Sequence, residues 1–185
     1  MFGLTCKRAH TGTKLPICSI NYRSLPPLQR VLLSCDGTLG NVIEAFFLES
    51  VEAIRIAQKT SRALRPLPEL DLAPSHLLMQ RKVIIVGART RRTYLYAESW
   101  IAMGKLPTNV RRDLEHSSKT IGQMWAENNM ELRKELLHIS KYRGYRLLRL
   151  FGNTGWLLNR KYRVISGSMP IMLISEYIPV RYESD

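Results

Sequence analysis

Apolar and polar positions along this chain switch between a helical spacing of about 3.6 residues and a strand spacing of 2, and that switching divides it into elements. Pro26 and Pro27 suit a helix's first turn, and Leu28, Val31, Leu32 and Cys35 follow at helical spacing, which predicts a short helix. Asp36-Gly37 turns the chain. Thr38 can cap a second helix whose apolar stripe is Leu39, Val42, Ile43 and Phe46, giving a helix pair separated by a tight bend. Residues 51–58 read as a strand with weak alternation, and the Pro-rich stretch 65–74 as a surface connector. Residues 79–89 are rich in β-branched side chains and 93–103 alternate, so the two predict a β-hairpin bending at 89–92. In its second strand Tyr94, Tyr96, Glu98 and Trp100 share one face while Leu95, Ala97 and Ile101 share the other. Both faces carry apolar residues, which predicts helices over at least one.

Pro107 opens a polar, helix-prone region, and Leu132, Leu136 and Ile139 predict a helix broken at Gly144. Residues 145–150 and 157–165 are strand candidates, and Gly167-Ser168 turns into 169–178 as a second hairpin. Antiparallel strands with helices grouped between them predict an α+β fold, a single antiparallel sheet of about six strands flanked by helices. The chain's 185 residues suit one domain. Its expected bounds are 24–185, after a loosely structured lead-in over 1–23.

Charge changes the picture. Against 15 Asp and Glu stand 28 Lys and Arg, a formal +13, so the surface attracts anions: nucleic acid, acidic membrane or a small polyanionic metabolite. The basic residues fall in short groups, as scattered solvated faces also would. Cys6, Cys18 and Cys35 are odd in number and lack CxxC spacing, which supports neither a disulfide framework nor a zinc site and makes a reducing compartment the default. His10, His76, His116 and His138 have no ligand-like spacing, so no metal is expected. No apolar run approaches the ~20 residues of a membrane-spanning helix. Residues 1–23 are mildly basic but lack an apolar core or a sustained amphipathic pattern, which argues against a targeting peptide.

Two residues stand out chemically. Alternation puts Glu176 on the face of Met172, Ile174 and Ile178, a carboxylate among apolar neighbours. Buried, it must meet a basic group, hold its proton more tightly, or twist outward at the strand end; a tightened proton would suit a general acid. Arg81 shares a face with Val83 and Ile85. Its planar fork can hold a substrate carboxylate through two parallel hydrogen bonds, or can pair internally with Glu98 or Glu176.

Four segments, in this order and spacing, resemble the chorismate lyase family, in particular its branch found in cyanobacteria, plastids, archaea and mycobacteria. They are Leu32-Leu33-Ser34-Cys35-Asp36-Gly37-Thr38-Leu39 with Glu44-Ala45-Phe46-Phe47-Leu48-Glu49; Tyr94-Leu95-Tyr96-Ala97-Glu98-Ser99; Thr120-Ile121-Gly122; and Leu158-Asn159-Arg160-Lys161-Tyr162-Arg163 leading to Pro170-Ile171-Met172-Leu173-Ile174-Ser175-Glu176-Tyr177-Ile178-Pro179. The resemblance implies helical flaps over an enclosed ligand site and cofactor-free conversion of chorismate to 4-hydroxybenzoate and pyruvate. It implies that Arg81 holds the ring carboxylate, that Glu176 is the proton donor, and that Ile121 meets the ligand through its backbone amide. Gly122 beside it permits close approach. Glu98 departs from the basic residue of the bacterial ubiquinone-pathway lyases and puts the pocket's charge balance in question. The expected partner is a small dianion bound by a monomer, without membrane or nucleic acid, in bacterial cytoplasm or plastid stroma. Two other readings stay open: a non-catalytic small-anion sensor of the same fold, and a basic nucleic-acid-binding module.

Overall fold

The computed structural model describes residues 20–116, 121–128, 130–152 and 155–182. Most of the lead-in expected over 1–23, with Cys6, Cys18 and His10, lies outside them. Two helices come first, α1 (Pro27–Ser34) and α2 (Leu39–Phe47). Pro27 starts α1 at its first position, and Leu28 and Leu32 of the expected stripe are buried, but Leu33 is buried in place of Val31, which is exposed. Thr38 does occupy the N-cap of α2, but its side chain makes no capping hydrogen bond. It is used elsewhere, against a second helix described below.

Six strands form one antiparallel sheet: β1 (Val51–Arg62), β2 (Leu77–Gly87), β3 (Thr93–Ala102), β4 (Leu132–Tyr142), β5 (Leu157–Ser166) and β6 (Met169–Pro179), in the order β1-β2-β3-β6-β5-β4. Both expected hairpins are present, β2–β3 and β5–β6, the latter turning through Gly167 at φ 58°. Two short helices, α3 (Thr108–His116) and α4 (Ile121–Glu127), fall in the polar region after Pro107.

Four expectations change. Strand β1 runs on to Arg62, because Arg62 pairs with Leu77 at the start of β2. The connector after it is not simply surface, since Leu70 and Leu72 are buried against the back of the sheet with Leu78, Ala102 and Leu173. The helix expected through Leu132, Leu136 and Ile139 is strand β4, and a β-bulge between Leu136 and His138 explains the misreading. A bulge inserts one residue and shifts the alternation by one, so spacings of four and then three keep all three side chains on one face of a strand. Residues 145–150 are the opposite case. Expected as a strand, they form a helical turn, α5 (Tyr145–Leu148), and a 3-10 turn ended by Gly152 at φ 69°. Leu148 alone among these seven residues is buried.

One face of the sheet is covered by α1 and α2 at one end and by α3 and α4 at the other, which gives two apolar clusters with a gap between them. Phe47 stacks on Tyr94 with ring centroids 4.5 Å apart, and the Tyr182 hydroxyl donates to the Tyr94 carbonyl at 2.9 Å, so the end of α2 and residues after β6 are fastened to β3. Nearby, Glu49 accepts from the Tyr94 hydroxyl, the Thr90 hydroxyl and the Arg89 and Thr90 amides. These bonds favour the ionised carboxylate, Tyr94 first and Thr90 next, and bring its pKa from 4.5 to about 2. A group depressed on folding stabilises the fold above its unfolded value and stops doing so as pH falls through its folded one. Acid melts of wild type and Glu49→Gln should therefore differ at neutral pH, with wild type more stable, and converge as the pH drops from 4.5 towards 2. Parallel curves across that window would show that Glu49 does not carry the difference.

Candidate functional site in the sheet cavity

Between the sheet and its helical cover lies a cavity of about 710 Å³. Its floor is one face of the sheet: Val83 and Ile85 from β2, Leu95 and Ala97 from β3, Ile174 from β6 and Val164 from β5. The cover brings Thr38 and Leu39 from the start of α2, and Ile121, Gly122 and Trp125 from α4. The volume suits a small ligand, and the lining is the usual mixture of apolar wall and a few polar groups.

Arg81, Ile121, Gly122 and Glu176, singled out in the sequence, all line this one cavity. Arg81 is 2% exposed and sits opposite Ser99 on β3, itself 3% exposed. Glu176 is opposite Ala97 of β3 on one side and Arg160 of β5 on the other. Arg81 and Glu176 thus share a face with one strand between them, a separation across the sheet of about 10 Å at the backbone. Burial, and then the charge of Arg55, lower the pKa of the Arg81 guanidinium from its ordinary value. Glu98 is not its partner: it points to the other face, where it accepts from the Tyr96 hydroxyl and pairs with Lys82.

Glu176 has a basic partner that the sequence reading left out. The Arg160 Nε donates to Oε2 at 2.5 Å, and the Tyr162 hydroxyl donates to Oε1 at 2.9 Å. Arg160 is 3% exposed, and its Nη1 also donates to the carbonyls of Leu32 and Cys35 at 2.8 Å, which ties the end of α1 to the sheet. Burial is the largest single influence on Arg160 and opposes its charge, but Glu176, with Tyr162 and Cys35 adding to it, tips the balance and raises the guanidinium pKa. Tyr162 is pushed well above the ordinary phenol range, first by burial and then by the Glu176 charge, so it keeps its proton as a donor. Alternation held the signal: Arg160, Tyr162 and Val164 share a face of β5, and Arg160 is the cross-strand neighbour of Glu176 once the hairpin register is known.

Lys134 of β4 also lines the cavity. Its ammonium donates to the Gly37 carbonyl at 2.6 Å and lies 5.3 Å from the centre of the Tyr162 ring. Gly122 is where the two halves of the cover touch. A Cβ there would stand 2.7 Å from Thr38 Cγ2 and 2.9 Å from its Oγ1, closer than side chains pack. Among the described residues no group of His, Cys, Asp and Glu is arranged to hold a metal ion.

Residues 33–184 match the model of the Rv2949c-like chorismate pyruvate-lyase family. The chain belongs to this family. Similar within it is the chorismate pyruvate-lyase of Mycobacterium tuberculosis strain H37Rv, 27% identical over 154 residues that cover 80% of this chain and 77% of that one. Among solved structures, the effector domain of PhnF from Mycobacterium smegmatis superposes with a TM-score of 0.61 at 10% identity, over 77% of this chain and 88% of that one. The C-terminal domain of the histidine utilization repressor from Pseudomonas syringae does so with 0.56 at 11%, over 73% and 95%. At such identities the two regulators speak for the fold alone, and the α+β chorismate lyase-like architecture expected from sequence is the one observed. Within the family frame, the cavity residues Arg81, Lys134, Tyr162 and Glu176, and Arg160 paired with Glu176 behind them, all lie between 33 and 184.

Proposed function

We propose that this protein is a lyase that splits chorismate into 4-hydroxybenzoate and pyruvate, with Arg81 holding the ring carboxylate and Glu176 moving the proton. What supports the reading most is Glu176, a buried carboxyl group at the wall of a cavity that also holds a guanidinium, in a chain of the chorismate pyruvate-lyase family.

The chemistry asks little of the protein. The ring carbon bearing the hydroxyl loses its hydrogen as a proton, the neighbouring carbon–oxygen bond to the enolpyruvyl arm breaks, and the ring becomes aromatic. The released enol takes a proton on its methylene carbon to become pyruvate. The two products contain every atom of the substrate, so the balance requires no oxidant, reductant or water. One group that accepts and then returns a proton, beside groups that fix the carboxylates, is sufficient. Glu176 is ion-paired to Arg160, so as a carboxylate it must gain a proton before it can act as general acid. The ring hydrogen is the proton at hand. Ile121 would offer its backbone rather than its side chain, and Gly122 beside it lets the start of α4 approach Thr38 closely over the ligand.

Purified protein should therefore release equal amounts of 4-hydroxybenzoate and pyruvate from chorismate without added metal, followed by ultraviolet absorbance and chromatography. Folded protein without turnover would overturn the proposal. Arg81→Ala should raise KM roughly 10–150-fold with a smaller change in kcat, the loss of about 1.5–3 kcal/mol from hydrogen bonds to a charged group. The fold shared with the PhnF effector domain favours a second reading, a small-anion sensor. It requires chorismate or 4-hydroxybenzoate to bind without being consumed.

A further inference from the structure

We infer that Lys134 is a second anion anchor in the cavity and that, over the ring of Tyr162, it takes the carboxylate of the substrate's departing three-carbon arm. This rests on the lyase reading above. The order of strands arranges the polar groups as a series across one face: Arg81 on β2, Glu176 on β6, Tyr162 on β5 and Lys134 on β4. Chorismate is a dianion whose breaking bond lies between its two carboxylates. A cation at each end of a cavity with a proton-transfer group between them matches that order of charges, whereas one cation leaves half of the substrate's charge buried without a partner.

Lys134 has the features of an anchor rather than of a satisfied structural lysine. An ammonium carries three donors, and among the described residues the one hydrogen bond from the Lys134 ammonium goes to the Gly37 carbonyl. No carboxylate of the described residues lies within ion-pair distance of it, although the charges of Glu176 and Asp36 reach it and Arg160 opposes them. Burial is the larger influence and lowers its pKa. A substrate carboxylate would supply the missing counter-charge. Tyr162 completes the subsite from below: its hydroxyl is committed to Glu176, so its ring face is what it presents to the ammonium. The same two residues would then join the arm's carboxylate to the group that moves the proton.

The product tests this, because 4-hydroxybenzoate keeps the ring carboxylate and lacks the arm. Lys134→Met should raise the KM for chorismate roughly 10–100-fold and leave the Kd for 4-hydroxybenzoate within about twofold of wild type, while Lys134→Arg recovers most of the loss. An unchanged chorismate KM in Lys134→Met would overturn the inference. So would a parallel loss of 4-hydroxybenzoate affinity, which would show that Lys134 only clamps Gly37 and the start of α2. Should the methionine variant melt early, Lys134→Gln is read by the same ratio of chorismate to 4-hydroxybenzoate affinity. Wild-type protein that binds both molecules without turnover sinks the lyase reading by itself, and the same ratio still decides the role of Lys134.

Discussion

Glu176→Gln should lower kcat about a thousandfold, within the 10²–10⁴ that a positioned proton-transfer group contributes, with little change in the KM for chorismate. Glutamine keeps the shape of the side chain, and its amide oxygen can still accept from Tyr162 or Arg160, so the cavity wall is retained. It cannot pick up the ring proton and return it. The substitution should also lower stability, because Arg160 is 3% exposed and would lose the charge that faces it. Turnover measured beside 4-hydroxybenzoate affinity separates the two effects. Wild-type kcat in the glutamine variant would remove Glu176 from the chemistry.

The largest stability change should come from the other half of that pair. Arg160→Met is expected to cost about 3–5 kcal/mol, because it leaves a buried carboxylate without its cation and the carbonyls of Leu32 and Cys35 without their donor. For a chain of this length that is a fall in Tm on the order of 10 °C. Combining it with Glu176→Gln should recover part of the loss, since the double variant no longer buries a lone charge, and a double-mutant cycle by denaturant titration gives the coupling. Strict additivity of the two single variants would show that the pair is not energetically linked.

Much of this was legible in the sequence, and the parts that were not have physical reasons. Helices α1 and α2 and both hairpins follow from apolar spacing and from Pro, Gly and Asp at the turns. Strand β4 was misread because its bulge makes three strand positions imitate a helical stripe. Alternation alone put Glu176 and Arg81 on apolar faces, and the sheet order then placed those faces on one cavity. Arg160 could not be paired with Glu176 without the β5–β6 register, and β6 leaves the hairpin partner shifted by a bulge between Val164 and Ile165. Lys134 was hidden by the same misreading that hid β4. A lysine on a polar helix is expected in solvent, whereas on β4 it faces inward.

The seam at Gly122 and Thr38 bears on how tightly the two halves of the chamber's roof fit together. The two halves of its roof come from segments more than eighty residues apart, and they meet where one of them has no side chain at all. Any larger residue at 122 would act as a wedge and hold the roof ajar. Under the lyase proposal, more solvent would then reach the charges that orient the substrate, so a residue of the roof would govern how well those charges work.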